Sequence, residues 1–211
     1  MENKIKSLAA RISLLKSKKN LKKEELIDEL NRAHSELRKL YKTLAERERQ
    51  NREDSFTGLY NRRYLDIRLA HEFIRAQRYR RDLTVIMADL DYFKRINDSF
   101  SHQAGDQVLK TAARIFRDNC REIDLIARYG GDEFVLALPE MPCDGAIFFC
   151  ERIRLAVEWY DWDHLMSGLK VTISQGIAAY NDKAESYQAM LRQADAKLYE
   201  AKQAGRNTVK Y

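Results

Sequence analysis

Two glycines followed directly by two carboxylates, Gly130-Gly131-Asp132-Glu133, form the stretch best suited to chemistry. Side-chain-free backbone lets a phosphate come close, and neighbouring carboxylates can hold a divalent metal. A second acidic pair, Asp89-Leu-Asp91, closes the apolar run Leu83-Thr-Val-Ile-Met-Ala-Asp-Leu90, and Lys94 follows shortly after. If that run ends beside the Gly-Gly turn, then Asp89, Asp132 and Glu133 converge with a lysine nearby. Hard oxygen ligands in that number suit Mg²⁺, which takes one or two carboxylates plus substrate phosphates. Paired ions of this kind can clamp the attacking and leaving oxygens of an in-line phosphoryl transfer, and a lysine offsets charge developing on the phosphate. An acidic turn rimmed by ordinary salt bridges is the competing reading of the same residues.

The elements that must position these groups can be read from apolar spacing. Asp124–Ala127 and Phe134–Leu138 flank the glycines, which predicts a tight hairpin whose two-residue turn has φ > 0 at both glycines. Leu83–Leu90, β-branched in its middle, reads as a buried strand. An amphipathic helix is expected over 63–80, with Leu65, Leu69, Phe73 and Ala76 on one face. The stretch 98–105 reads as polar and irregular, followed by a helix from Asp106 to Asn119. Asp144 is the expected N-cap of a helix reaching Tyr160. A strand over 169–178, a helix over 187–204 and a short strand within 206–211 complete the chain. The order strand, helix, strand–strand, helix, strand is the βαββαβ plan of a ferredoxin-like α+β core, here with about five mostly antiparallel strands and flanking helices.

Before Gly58 there is neither Gly nor Pro, and Leu, Lys, Glu, Arg and Ala dominate. Residues 1–53 therefore read as a helical arm and 54–211 as the globular domain. Leu30, Leu37 and Leu44, with Leu26, Ala33 and Leu40, occupy the a and d positions of a coiled coil. Ile5, Leu8, Ile12 and Leu15 form a second seam out of phase with the first. The arm is either one helix with a stutter near Lys18–Lys23, or two helices broken at Ser17–Asn20 with Asn20 as N-cap. Either way the seam needs a partner, which is expected to be the same helix of a second copy.

The net charge of +6 belongs to the arm, where 15 Lys and Arg face 9 Asp and Glu; residues 54–211 carry 23 of each. With Tyr41 the arm's lone aromatic, nucleic-acid binding is not expected. The chain has no apolar run long enough to span a membrane and no signal-peptide core at its start. Cys120, Cys143 and Cys150 are an odd count without Cys-x-x-Cys spacing, so reduced thiols in a cytoplasmic protein are expected.

Gly130-Gly-Asp-Glu-Phe134 resembles the signature of GGDEF-domain diguanylate cyclases. The likeness extends through Asp54-x-x-Thr-x-Leu-x-Asn-Arg-Arg63, Asp89-Leu-Asp-x-Phe-Lys-x-x-Asn-Asp98 and His102-x-x-Gly-Asp-x-x-Leu109. It continues in Ser174-x-Gly176 and Ala194-Asp-x-x-Leu-Tyr-x-Ala-Lys-x-x-Gly-Arg-Asn207. The resemblance implies a nucleotide-cyclase, palm-like fold and the joining of two GTP into cyclic di-GMP with release of two pyrophosphates, by a homodimer using two Mg²⁺ (or Mn²⁺) per site. It implies Asp89, the Leu90 carbonyl, Asp132 and Glu133 as metal ligands, with Asp132 accepting the 3′-hydroxyl proton and Lys94 stabilising the transition state. It assigns guanine reading to Asn97 and Asp106, further substrate contact to His102, Gly130 and Gly131, and the terminal phosphates to Lys202 and Arg206. Arg121-x-x-Asp124 matches the position of the family's product-inhibition site, with Arg75 and Arg152 as secondary arginines. Phe56 replaces a usual leucine, and Ser101 stands where glycine usually precedes the histidine. An inactive domain that binds GTP or cyclic di-GMP is the alternative, although the signature acids are all present.

Overall fold

The computed structural model describes residues 23–181 and 184–211. The chain divides between Arg49 and Gln50 into two compact units. Helix α1 (Lys23–Arg52) runs unbroken through the described part of the arm. Two seam leucines, Leu30 and Leu37, stand exposed, as do Ile27 and Tyr41. The second seam and the expected break at Ser17–Asn20 lie outside the described residues.

The second unit contains β1 (Tyr60–Asn61), α2 (Arg62–Tyr79), β2 (Leu83–Leu90), α3 (Phe93–Phe100), α4 (His102–Asn119) and β3 (Leu125–Arg128). These are followed by β4 (Glu133–Pro139), α5 (Cys143–Glu158), β5 (Ile173–Ala179), α6 (Tyr187–Gln203) and β6 (Val209–Lys210). They build a six-stranded sheet in the order β1-β3-β4-β2-β5-β6. The central strand β2 pairs antiparallel with β4 and β5, and β3 with β4, while the two-residue edge strands β1 and β6 pair in parallel. The β2–β5 core has the expected βαββαβ order. The extra strand is β1, too short to show a period of its own and running straight into α2.

Side chains alternate across the strands, so each face of the sheet buries its own cluster. Ile86 and Leu136 pack with Leu109, Phe116, Phe149 and Ile153 of α4 and α5. Val85 and Val135 pack on the other face with Leu69 and Phe73 of α2 and Leu191 and Leu198 of α6. β2 is buried along its whole length, so its apolar run carries its last carboxylates into the interior of the fold. Gly176 lets α6 lie hard against β5, because a Cβ there would collide with the helix backbone at Ala194, Lys197 and Leu198. That approach sets where Lys202 and the turn after α6 fall.

Four local expectations are corrected. Phe93–Phe100 is helical, and α4 begins at His102 instead of Asp106. The break between them is one residue, Ser101, whose Oγ accepts from the Ala104 N–H at 3.3 Å; no Gly or Pro marks it. The N-cap position of α5 is Pro142, with Asp144 inside the first turn, where its charge still favours the helix dipole. β5 starts at Ile173, not Leu169, since its partner β2 ends at Leu90, opposite Ile173. Among the described residues no helix is long and apolar enough to cross a membrane.

Candidate active site

The β2, β4 and β5 strands reach the same rim of the sheet. There Asp89 lies opposite Glu133 on one side and Ser174 on the other. The Leu90 N–H donates to the Asp132 carbonyl at 3.3 Å, tying the strand end to the Gly-Gly loop. Asp89 is only 7% exposed, and the Lys202 Nζ from α6 lies 2.9 Å from its Oδ2. Burial raises the Asp89 carboxyl to about 6; the charges of Asp132 and Glu133 push the same way, and Lys202 pulls back.

The loop between β3 and β4 is not the expected two-residue turn, because neither Gly130 nor Gly131 has a positive φ. Four residues, Tyr129 to Asp132, separate the strands, and side-chain contacts hold the loop. The Arg128 Nε and Nη2 donate to the Gly131 carbonyl at 3.0 and 2.8 Å, while its Nη1 reaches Asp54 Oδ1 at 3.4 Å. Asp54 in turn accepts from the Thr57 N–H and hydroxyl at 2.8 and 2.7 Å. Burial works against ionising Asp54, but the Thr57 bonds and Arg128 outweigh it and hold the carboxyl below its ordinary range. At 130 a Cβ would come within 2.7 Å of Glu133 Oε2, so a side chain there would make the end of the flexible Glu133 side chain move aside. At 131 a Cβ would meet nothing within 4 Å, so this backbone lies open to an approaching ligand.

A second group flanks the rim where α3 and α4 meet. Asn97 of α3 packs its amide directly over Gly105 of α4, where a Cβ would collide with it. Asp106 follows Gly105 and, with Ser101, Lys110 and Met166, lines an open cleft of about 350 Å³. His102 and Lys94 are exposed on α4 and α3. Arg206, in the turn after α6, reaches the residue before α3: its Nη1 donates to the Tyr92 hydroxyl at 3.1 Å. The rim thus gathers Asp89, Leu90, Asp132, Glu133 and Lys202, with Asn97, His102 and Asp106 as a separate group on the adjoining helices.

The donor set fits a small hard cation. Asp89 is a buried carboxylate with two acids beside it and a lysine ammonium against it, so a divalent ion would relieve both the burial and the like-charge repulsion. Among the described residues no three His, Cys, Asp or Glu side chains are gathered closely enough to hold a metal unaided. Mg²⁺ commonly completes its octahedron with substrate phosphates and water in just this situation.

Residues 51–208 match the family described as "Diguanylate cyclase, GGDEF domain". The chain belongs to the GGDEF diguanylate cyclase family. It is 37% identical over 184 residues to the diguanylate cyclase DgcP of Pseudomonas aeruginosa, covering 87% of this chain and 27% of that protein. With the response regulator PleD of Caulobacter vibrioides it shares 40% identity over 158 residues, covering 74% of this chain and 35% of that one. It therefore spans roughly a third of the length of the curated relatives it matches. The crystal structure of the coiled coil and GGDEF domain of DgcB from Caulobacter crescentus, in complex with c-di-GMP, superposes with a TM-score of 0.78 at 28% identity. It covers 88% of this chain and 98% of that one. Divalent metal ions are used generally in the GGDEF family.

Of the remaining residues singled out in this GGDEF domain, Arg121, Asp124 and Arg152 fall at the other end of β3. The Arg121 N–H, not its side chain, donates to Asp124 Oδ2 at 2.8 Å, and Asp124 Oδ1 is buried with no hydrogen-bond partner. Burial raises the Asp124 carboxyl, against the Arg121 hydrogen bond and charge. Arg152 of α5 lies close by, donating from Nη2 to the Asn119 carbonyl at 2.9 Å. Arg75 is not brought to this group: it sits on α2, across the sheet, bound to Glu140 at 3.0 Å and Glu72 at 3.5 Å. Sequence reasoning missed the roles of Asp91, Tyr92 and Arg128. Only Asp91 had a legible signal, the Asp-x-Asp spacing that puts it on the Asp89 side of the strand.

Proposed function

We propose that this chain condenses two molecules of GTP into cyclic di-GMP, releasing two pyrophosphates. The observation that carries the reading is the meeting of Asp89, Asp132, Glu133 and Lys202 beside the open backbone of Gly131. Asp89, Asp132 and the Leu90 carbonyl would hold Mg²⁺ or Mn²⁺, two ions per site, with Glu133 contributing. Bound there, the ions supply Lewis-acid stabilisation of the phosphoryl oxygens. Asn97 and Asp106 bind the guanine edge beside the cleft, an aspartate being suited to accept from the ring N–H and the exocyclic amine, while His102 adds a contact. Gly130 and Gly131 admit the phosphates, which Lys202 and Arg206 orient. Asp132 takes the 3′-hydroxyl proton, and Lys94 offsets charge on the α-phosphate as the 3′-oxygen attacks.

Each domain holds one GTP, so the reaction needs two domains face to face. The exposed Leu30 and Leu37 of α1 supply a seam for a homodimer, which raises the local concentration of the partner domain. Residues 1–53 are thus a dimerisation arm and 54–211 the catalytic domain. Cyclic di-GMP inhibits through Arg121, Asp124 and Arg152, an arginine being suited to guanine O6 and N7; Arg75 would join them only from a second protomer. Three free cysteines and a GTP substrate suit a cytoplasmic enzyme.

Incubation with GTP and Mg²⁺ followed by nucleotide chromatography tests the reaction: the native chain should form cyclic di-GMP and Asp132→Ala should not. Product from neither would favour a domain that only binds nucleotide. Removing residues 1–50 should lower specific activity at low protein concentration and take the mass in light scattering from that of a dimer to that of a monomer.

A further inference from the structure

The turn after α6 is held in an unusual backbone conformation. Gly205, Arg206 and Asn207 have φ of 105°, 67° and 45°, and two consecutive non-glycine residues there need surroundings that enforce it. Asn207 supplies them. Its N–H donates to Asp91 Oδ2 at 3.0 Å, its Nδ2 to Glu158 Oε1 at 2.7 Å, and its Oδ1 accepts from Arg154 Nη1 at 3.0 Å. Asp91 is itself fixed by the hydroxyls of Thr172 and Ser174 at 2.7 and 2.6 Å. Arg206 therefore leaves a backbone pinned to the strand rim.

The far end of Arg206 is fixed as well. Its guanidinium carbon lies 4.3 Å from the centroid of the Tyr92 ring, and its Nη1 donates to the Tyr92 hydroxyl at 3.1 Å. Tyr92 follows Asp91, adopts φ 55° and is 47% exposed. Its ring faces two guanidiniums, that of Arg95 also lying 4.6 Å from the centroid, while its hydroxyl accepts from Arg206; an aromatic face attracts a cation and the phenol oxygen accepts from it.

We propose that Tyr92 is a positioning residue for the terminal phosphates of the bound nucleotide, acting by holding the Arg206 guanidinium above the rim on a turn that Asp91 pins. The proposal rests on the reading of Arg206 as a phosphate-binding residue. Because Tyr92 is half-exposed, its truncation should leave the fold intact.

The test measures equilibrium binding, with Mg²⁺, of 3′-deoxy-GTP, which lacks the attacking hydroxyl and cannot react, and of 3′-deoxy-GMP, which lacks the terminal phosphates. Tyr92→Ala should weaken the triphosphate by about tenfold, the scale of one cation–π contact plus one hydrogen bond, and leave the monophosphate within about twofold. Tyr92→Phe, which keeps the ring, should recover most of the loss. In an Arg206→Ala background, Tyr92→Ala should cost nothing further. Equal weakening of both nucleotides, no weakening at all, or an added loss in the Arg206→Ala background overturns the positioning role. If Arg206→Ala alone leaves the preference for triphosphate unchanged, the phosphate-binding reading of Arg206 has failed, and the role of Tyr92 fails with it.

Discussion

Asp89 and Asp91 stand two residues apart at the end of the same strand, both buried, in opposite surroundings. Asp91, 4% exposed, accepts from two hydroxyls and one backbone N–H between 2.6 and 3.0 Å. Asp89, 7% exposed, faces a lysine ammonium with two further acids nearby, and its carboxyl is raised to about 6. A buried charge costs free energy unless fixed donors replace the lost water. Where the fold supplies those donors the carboxylate is structural, and at Asp91 it joins the start of β5 to the turn after α6. Where the fold withholds them, the unmet demand is available to a ligand, and strongly perturbed acids gather at functional sites for that reason.

The largest effect is expected at the satisfied member of the pair. Asp91→Ala leaves one buried and one half-buried hydroxyl and an N–H without their acceptor and should destabilise the chain by roughly 4 kcal/mol, read as a lower urea midpoint at unchanged slope. A midpoint within error of the native one would break the comparison.

Asp89→Asn should act with the opposite sign. Unfolded, the Asp89 carboxyl ionises near 3.8; folded, near 6. Between those values the unfolded chain has released a proton that the folded chain keeps, so stability falls as pH rises from about 4 to about 6 and stays lowered above that. An asparagine avoids this loss. In the absence of metal and nucleotide, the variant should be more stable by about 3 kcal/mol at pH 7.5, with the difference shrinking to about 0.5 kcal/mol at pH 4, while making no cyclic di-GMP. Mg²⁺ should raise the melting temperature of the native chain and leave that of Asp89→Asn nearly unmoved. A variant less stable than native at pH 7.5 would mean that the Lys202 ion pair outweighs the burial.

The difference between the two aspartates also marks how far sequence could reach. The continuous apolar run 83–90 announced a buried strand, and Gly130–Phe134 announced a loop with acids, because period and composition are local properties. The donors to Asp91 were not legible. Thr172, Ser174 and Asn207 come from 81 to 116 residues away, and nothing local distinguishes a carboxylate that will meet them from one that will not. The Gly-Gly loop was misread for a related reason. Glycine pairs suggest positive φ, but neither glycine adopts it here, in a loop held by Arg128, which binds the Gly131 carbonyl and reaches Asp54, 74 residues away. The one-residue break at Ser101 escaped because a serine among polar residues does not itself announce φ 140°; the usual glycine at this position was its one trace.

Ser101 gives the smallest and most discriminating test of whether unfavourable local structure near the site serves the ligand. A non-glycine residue at φ 140° costs on the order of 1 kcal/mol, whereas exchanging its cap to the Ala104 N–H for glycine loses only a few tenths. Ser101→Gly should therefore gain about 0.5 to 1 kcal/mol, a rise in melting temperature of roughly 2 °C for a chain of this size. Unlike Asp89, whose demand a ligand can meet, Ser101 is strained in a way that no ligand group relieves. Its removal should leave the KM for GTP unchanged. A stability gain accompanied by a higher KM would instead place Ser101 with Asp89, as a residue whose cost is tied to binding.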